Sequence, residues 1–497
     1  MNIAMLLQMA AETCPDRRAL TARGRHYTYA ELFDAARVAG EHVTRSGCRY
    51  VSVLDTSSPA VPIALMGAAL AGVPFVPLNY RLTREELDAL LERIAPAYLI
   101  TGDDHHDVYA ARENLTVRGR DAFLDTVLGG TAPDAEAPED PSAVAVQLFT
   151  SGTTGAPKAA ILRHEHLVSY ILNTVEFMSA EEAEATLVSV PPYHIAGISA
   201  LLSSIYACRR IVLLPEFGPA AWLELAEHEQ VTNAFVVPTM LARIVEHLDA
   251  LGRGPRTEAL RAIAYGGGKM PVPVIERALE LFRGVDFTNA YGLTETSSTI
   301  TLLGPEDHRA AAASDDPEVR RRLGSVGQAL PSVEIEIRDE EGRALGPNQA
   351  GEIYVRGPQV AGEYLERNAL DADGWFPTRD AGELDEDGYL YLSGRADDVI
   401  VRGGENISPS EIEEVLMSHE AVADAAAVAI PSEEWGETVG AAVVRRAGHD
   451  VSARELQHLV KSRLRSSRVP EVIRFESELP YTETGKLLRR YVKELMT

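Results

Sequence analysis

Cysteine is scarce: Cys14, Cys48 and Cys208 are the only three in 497 residues. They stand at no metal-ligand spacing, which excludes a thiolate zinc site and a disulfide framework. A reducing, cytoplasmic setting is expected. Basic residues are also short, 47 against 74 acidic, for a formal net charge of −27. So acidic a chain does not suit nucleic acid or an anionic membrane, and any anionic ligand must be met by local donors. No apolar run approaches the length of a membrane span. The N-terminal stretch MNIAMLLQMAAETCPDRRAL lacks the basic opening of a secretion signal. Two common nucleotide signatures are missing as well. No G-x-G-x-x-G occurs, and no Gly-Lys-Ser/Thr closes a P-loop, which disfavours a dehydrogenase or a P-loop kinase.

What is present is a long, ordinary globular composition, 45% hydrophobic and 24% charged. The length is too great for one core and predicts two or more domains. Residues 28–100 alternate amphipathic helix patterns, such as YAELFDAARVAGEHV, with short apolar strands, VSVLD and GVPFVPLN. They read as a layered α/β unit. Residues 130–142 are rich in Pro, Ala and acid and read as an exposed connection.

The strand AVAVQLF then runs into SGTTGAPK. Small residues free backbone N–H groups to line an anion-binding concavity, and the hydroxyls of Thr150, Ser151, Thr153 and Thr154 add donors. The stretch reads as a triphosphate cradle around Lys158; the bland alternative is a polar surface turn. AIAYGGGKMP places Gly266, Gly267 and Gly268 after a strand at 260–265, where open α/β sheets hold ligands.

Past about residue 330, VEIEIRD, EIYVRG and YLYLSG alternate as half-exposed antiparallel strands do. A charged link spans 394–398. Ser408, Pro409 and Glu411 then predict a helix start with a capping box, and the last hundred residues read βαββαβ-like.

Four stretches in order, LFTSGTTGAPK, NAYGLTET, WFPTRDAGELDEDGYLYLSGRADDVI and LPYTETGKLLRR, resemble the adenylate-forming superfamily of acyl- and aryl-CoA ligases, peptide-synthetase adenylation domains and beetle luciferases. The resemblance spans essentially the whole chain. It implies an α/β fold with a large N-terminal domain (1–394) of layered α/β subdomains plus a small β-barrel-like subdomain. A hinge (395–398) and a small mobile α+β C-terminal domain (399–497) follow. The implied reaction joins a small-molecule carboxylic acid to MgATP, releasing pyrophosphate and leaving an acyl adenylate, and then forms a thioester with CoA.

The same resemblance implies residue roles. Thr150, Ser151, Gly152, Thr153, Thr154 and Lys158 match the loop that holds the β- and γ-phosphates, with backbone and hydroxyls mattering more than the lysine. Glu295 matches the Mg²⁺ carboxylate, Thr294 an α-phosphate contact and Tyr291 a ring packed on adenine, against which Gly266–Gly268 also lie. Asp380 matches the ribose-hydroxyl acceptor, although Arg379 stands where the family has Gly, and Arg395 matches the second ribose contact. Lys486 matches the adenylation lysine and Asp397 the hinge. Lys269 is atypical and is read either as solvated or as reaching an acidic substrate or phosphate.

For the acceptor, Gly403 and Gly404 match the pantetheine tunnel, Trp435 a residue near the nucleotide end of CoA, and Arg81 and Arg468 phosphate contacts. The aromatic usual before the last strand is replaced by Ser467. This keeps open a carrier protein acting in trans, or a relative that adenylates an inorganic oxyanion such as nitrite for an aryl amine. At the acyl pocket, His194 matches an aromatic gate. Phe235, Ala196, Gly197, Ala290, Ser297 and Ser298 line positions that suggest a compact aromatic or polar acid. A homodimer stays open as an assembly.

Overall fold

A computed structural model describes residues 1–134, 136–150, 157–395, 398–402, 405–432, 435–481 and 487–496. Two large sheets build the N-terminal part. One runs in the order Arg367–Asn368, Glu363–Tyr364, Lys158–Arg163, Val144–Thr150, Phe75–Pro77, Tyr50–Leu54, Ala97–Thr101, Leu115–Gly119. Its strands from Val144–Thr150 to Leu115–Gly119 are parallel. The helix expected around 29–43 is Tyr29–Ser46, started by a capping box between Thr28 and Glu31. It packs against Ala60–Ala71, a helix apolar on every side and therefore wholly inside the core.

The second sheet is parallel from Arg18–Ala22 through Arg210–Leu213, Ala185–Val188, Asn233–Val236 and Ala262–Gly266 to Asp286–Leu293. Antiparallel strands Arg25–Thr28 and Ser298–Leu303 flank it. The carboxyl ends of its strands lead into His194, the glycine triplet and the 294–298 turn. Ligands of open α/β sheets bind at such ends, so the topology alone gathers residues scattered over a hundred positions.

The alternating segments after residue 330 form the expected small all-β unit, an antiparallel sheet of Glu334–Arg338, Gly351–Arg356, Phe376–Leu384 and Leu390–Arg395. Gly394 and Arg395 belong to this sheet, paired with Ala381 and Asp380, and not to the charged link in which they were expected. Beyond it, Ile400, Ile412, Val439, Val443 and Leu456 form part of a separate buried core. It is covered by the hairpin Ile400–Arg402 and Glu405–Ile407, the helices Pro409–Met417 and Ala453–Arg463, and the strands Val422–Ser432, Gly436–Arg445 and Val472–Glu476.

The helix predicted from Ser408 does begin there, but its capping box does not form. The Ser408 hydroxyl donates instead to the Ser393 carbonyl at 2.7 Å, while Glu411 faces Arg468 at 3.4 Å. A tertiary contact has taken the capping side chain, leaving Pro409 at the first turn as the start signal. Among the described residues no helix is long and apolar enough to cross a membrane.

Candidate active site

The strand Asp286–Leu293 ends in a single 3-10 turn, Thr294–Thr296, followed by Ser297 and Ser298 at φ 55° and 112°. This left-handed reversal brings the chain back onto itself. A Cβ on Gly292 would lie 1.8 Å from the Ser298 carbonyl oxygen, so only glycine fits there. Thr296 staples the turn, its hydroxyl accepting from the Leu293 N–H at 2.9 Å and lying 2.8 Å from the Ser298 carbonyl.

The turn presents Glu295, which is 8% exposed. Its carbonyl accepts from the N–H groups of Ala361 (2.8 Å) and Gly362 (3.1 Å), and its Oε1 accepts from the Tyr364 hydroxyl at 2.6 Å. Oε2 has no protein partner among the described residues. Nor does any group of three or more His, Cys, Asp or Glu side chains at metal-binding spacing occur among them. One carboxylate with a free oxygen fits Mg²⁺ that arrives with a nucleotide and keeps phosphate and water ligands, rather than a cation held by a protein cage. Burial, and next the charge of Glu295, push the Tyr364 phenol above its ordinary pKa, so it stays a proton donor.

Tyr291, Asp380 and Arg395 converge beside this turn. The Tyr291 hydroxyl donates to Asp380 Oδ2 at 2.7 Å, and Arg395 Nη1 donates to Asp380 Oδ1 at 2.8 Å. Burial opposes the Arg395 charge, but Asp380, Tyr291 and Glu295 outweigh it and hold its pKa above the ordinary value. Burial and the Asp380 charge likewise keep Tyr291 protonated.

Arg379, the residue in place of glycine, keeps the turn that glycine would make: its φ is 63°. Among the described residues it pairs with Glu352 at 3.6 Å, a half-exposed pair that contributes little. Arg379→Gly is therefore expected to raise unfolding stability by about 0.5–1 kcal/mol by releasing left-handed strain. Urea unfolding checks this, and a fall in midpoint would contradict it.

Of the glycine triplet, Gly266 is required by the sheet, since a Cβ there would lie 2.0 Å from the Ala290 carbonyl, and Gly267 by its φ of 82°. Gly268 has only ordinary contacts with Pro238. Lys269, with its side chain 39% exposed, reaches toward the C-terminal domain. It pairs at 2.5 Å with Glu414 on the helix Pro409–Met417.

Thr150 and Lys158 face each other across the strand pair that brackets the predicted phosphate loop. Ser151, Gly152, Thr153 and Thr154 lie outside the described residues, as do Asp397, Gly403, Gly404 and Lys486. The positions next to Lys486 are described. Tyr481 and Leu487 pair in an antiparallel bridge. Arg489 donates to Glu413 and to the Ala427 carbonyl (2.6 Å), and lies 3.5 Å from Asp398.

On the acyl side, His194 precedes the helix Ile195–Tyr206 and stacks 4.5 Å from the Tyr193 ring. Burial lowers its pKa to about 4, so the imidazole is neutral at physiological pH. Ala196 and Gly197 follow on the same helix. Ser298 lies 3.1 Å from Ser199, hydroxyl to hydroxyl. Ser297 Oγ is buried without a partner among the described residues, and Phe235 and Ala290 stand on strands Asn233–Val236 and Asp286–Leu293, which flank Ala262–Gly266.

On the C-terminal domain, Arg402 links two predicted CoA residues. Its guanidinium lies 5.7 Å from the ring centre of Trp435, which is 43% exposed, and donates at 2.8 Å to the carbonyl of Ser467, whose hydroxyl accepts from Arg468. Arg81 stacks on Tyr80 on the N-terminal domain.

Sequence reading missed Tyr364, Gln359 and Glu414. Gln359 donates to the carbonyls of Thr296 and Thr299 under the Glu295 turn. Each acts through a contact many residues away, and no local pattern announces it.

Residues 7–365 match the model of the AMP-binding enzyme family, and residues 411–486 that of the AMP-binding enzyme C-terminal domain. The chain is 31% identical over 505 aligned residues to 2-succinylbenzoate–CoA ligase of Bacillus cereus, covering 99% of this chain and 98% of that protein. It is 32% identical to a feruloyl-CoA synthase of Amycolatopsis, covering 97% and 96%. The structure superposes with a TM-score of 0.85 and 32% identity, over 98% of this chain and 97% of the other, on the o-succinylbenzoate CoA synthetase of Bacillus subtilis solved with its acyl-adenylate intermediate. That same enzyme solved with ATP and magnesium ion gives 0.84 at 31% identity. Matched along nearly its whole length, this chain belongs to the AMP-binding enzyme family.

Proposed function

We propose that this protein is an AMP-forming acid–CoA ligase. A carboxylate oxygen attacks the α-phosphorus of ATP, the bond to the β-phosphate oxygen breaks, and pyrophosphate leaves. The CoA sulfur then attacks the acyl carbon and AMP leaves. The observation that carries this reading is the convergence of Glu295, Tyr291, Asp380 and Arg395 at one end of a parallel sheet.

Each residue has a task. Asp380 accepts from the ribose hydroxyls while Arg395 holds its carboxylate in place. Tyr291 packs on adenine, and Thr294 donates toward the α-phosphate. Mg²⁺, held by Glu295, supplies charge neutralisation on the phosphates. Thr150, Ser151, Gly152, Thr153, Thr154 and Lys158 meet the β- and γ-phosphates, where charge develops as pyrophosphate departs. The Lys486 ammonium bridges carboxylate and α-phosphate, offsetting their repulsion.

The C-terminal domain, 399–497, then turns about Asp397, exchanging Lys486 for the face bearing Gly403 and Gly404. Trp435, Arg468 and Arg81 meet CoA. The Lys269–Glu414 pair joins the two domains in the present pose and must open for any such turn. His194, neutral, borders the acid. Ala196, Gly197, Phe235, Ala290, Ser297 and Ser298 favour a compact aromatic or polar acid over a long chain.

A pyrophosphate-release screen over aliphatic, aryl, amino-acid and inorganic acids, with and without CoA, tests the reading. The expected result is AMP and pyrophosphate, with CoA raising turnover and an acyl-CoA product. Turnover on a carboxylate that is indifferent to CoA would overturn the acceptor. A carrier protein would then take its place, and nitrite turnover with an aryl amine would replace the acid.

A further inference from the structure

Tyr364 sits on the two-residue strand Glu363–Tyr364, outside every motif that marks the nucleotide site and 69 residues from Glu295. That strand is held on both sides. Toward the exit of the phosphate loop it pairs antiparallel with Lys158–Arg163, Tyr364 opposite Ala160 and Glu363 opposite Ile161. The Leu365 N–H donates to the Ala159 carbonyl at 2.9 Å. Arg163 grips Glu363 through two hydrogen bonds, both 2.8 Å. Arg93 bridges Glu366 and the Pro157 carbonyl, each at 2.6 Å. Toward the metal carboxylate, the Ala361 and Gly362 N–H groups and the Tyr364 hydroxyl all bind Glu295.

One short segment thus holds the residue read as the Mg²⁺ ligand and the strand that leaves the phosphate cradle. The Tyr364 ring also lies 5.8 Å from Lys158 Nζ, within cation–π range.

We propose that Tyr364 is a positioning residue that orients Glu295 for the metal and fixes its register against the phosphate-loop strand. The proposal rests on Glu295 being the Mg²⁺ ligand. By binding Oε1, the phenol fixes the plane of the carboxylate and turns Oε2 toward a cation. A ligand carboxylate held by such an outer hydrogen bond typically loses 10- to 100-fold in metal affinity when that bond is removed. Tyr364→Phe deletes only the hydroxyl and keeps the ring beside Lys158.

The test is calorimetric binding of α,β-methylene ATP, which cannot release pyrophosphate, with and without Mg²⁺. For wild type, Mg²⁺ tightens binding. For Tyr364→Phe the gain from Mg²⁺ is expected to shrink by about tenfold, while metal-free binding stays within about twofold. In a Glu295→Gln background, Tyr364→Phe should change nothing more, because the phenol acts through the carboxylate. An unchanged Mg²⁺ gain, or an equal loss with and without metal, would overturn the proposal.

If Glu295→Gln itself keeps the full Mg²⁺ gain, the reading of Glu295 as ligand fails instead, and the two failures are told apart. Should Tyr364→Phe fold poorly, 3-fluorotyrosine at 364 preserves the hydroxyl. Its fluorine resonance should then move on adding Mg²⁺ with the analogue and hold still with the analogue alone. The same response to both additions would again overturn the proposal.

Discussion

Lys486→Ala is expected to slow acid-dependent pyrophosphate release by about 10²–10³-fold, the cost typical of removing one group aimed at developing charge in an active site. The reason is electrostatic. An anionic carboxylate must approach an α-phosphate that already carries negative oxygens, and at contact distance in a partly dry cleft their repulsion is several kcal/mol. A single ammonium between them reverses its sign. The second half-reaction needs no such bridge, so acyl-CoA formation from supplied acyl-AMP should proceed within about threefold of wild type if the lysine has left. Quenched-flow measurement of the two half-reactions separately checks both statements. Equal loss in both halves, or normal adenylation, would show that Lys486 does not have the role proposed.

Glu295→Gln is expected to lower adenylation by about 10²-fold or more, since a bound metal stabilises transition-state charge by several kcal/mol. Glutamine keeps the shape and can still accept from Tyr364, so the turn should survive. The turn is also fastened by backbone bonds from Ala361 and Gly362 and by Gln359 below it. Melting temperature should therefore move by no more than about 1 °C, a shift that corresponds to roughly 1 kcal/mol in a chain of this length. A variant that adenylates normally at saturating Mg²⁺ would remove Glu295 from the metal site. One that melts far lower would show that the carboxylate is structural.

Much of this site is legible in the residues alone, because its signals are local. YGLTE compresses a strand end, a glycine at a backbone contact and a carboxylate into one short run. The alternation in VEIEIRD and EIYVRG gives the small antiparallel sheet directly. What stays hidden is tertiary. Nothing near AGEYLERN announces that Tyr364 binds a carboxylate 69 residues away. Lys269 could be seen as unusual, but its partner Glu414 belongs to another domain, and no spacing rule reaches across that boundary. The missing capping box at Ser408 has the same origin, since a propensity rule cannot know that the Ser393 carbonyl will be nearer. Gly394 and Arg395 open the charged run and yet close the strand Leu390–Arg395. Their pairing comes from Asp380 and Ala381 opposite them.

The footing of the C-terminal tail has a kinetic consequence. Arg489, three positions after Lys486, is clamped by Glu413 and the Ala427 carbonyl and reaches Asp398, the neighbour of the proposed pivot. The residue beside the proposed pivot and the first turn of the last helix therefore share one mount, as a gear and its tooth do. In the proposed cycle, withdrawal of this mount from the nucleotide and arrival of the opposite face of the domain are expected to share one time constant.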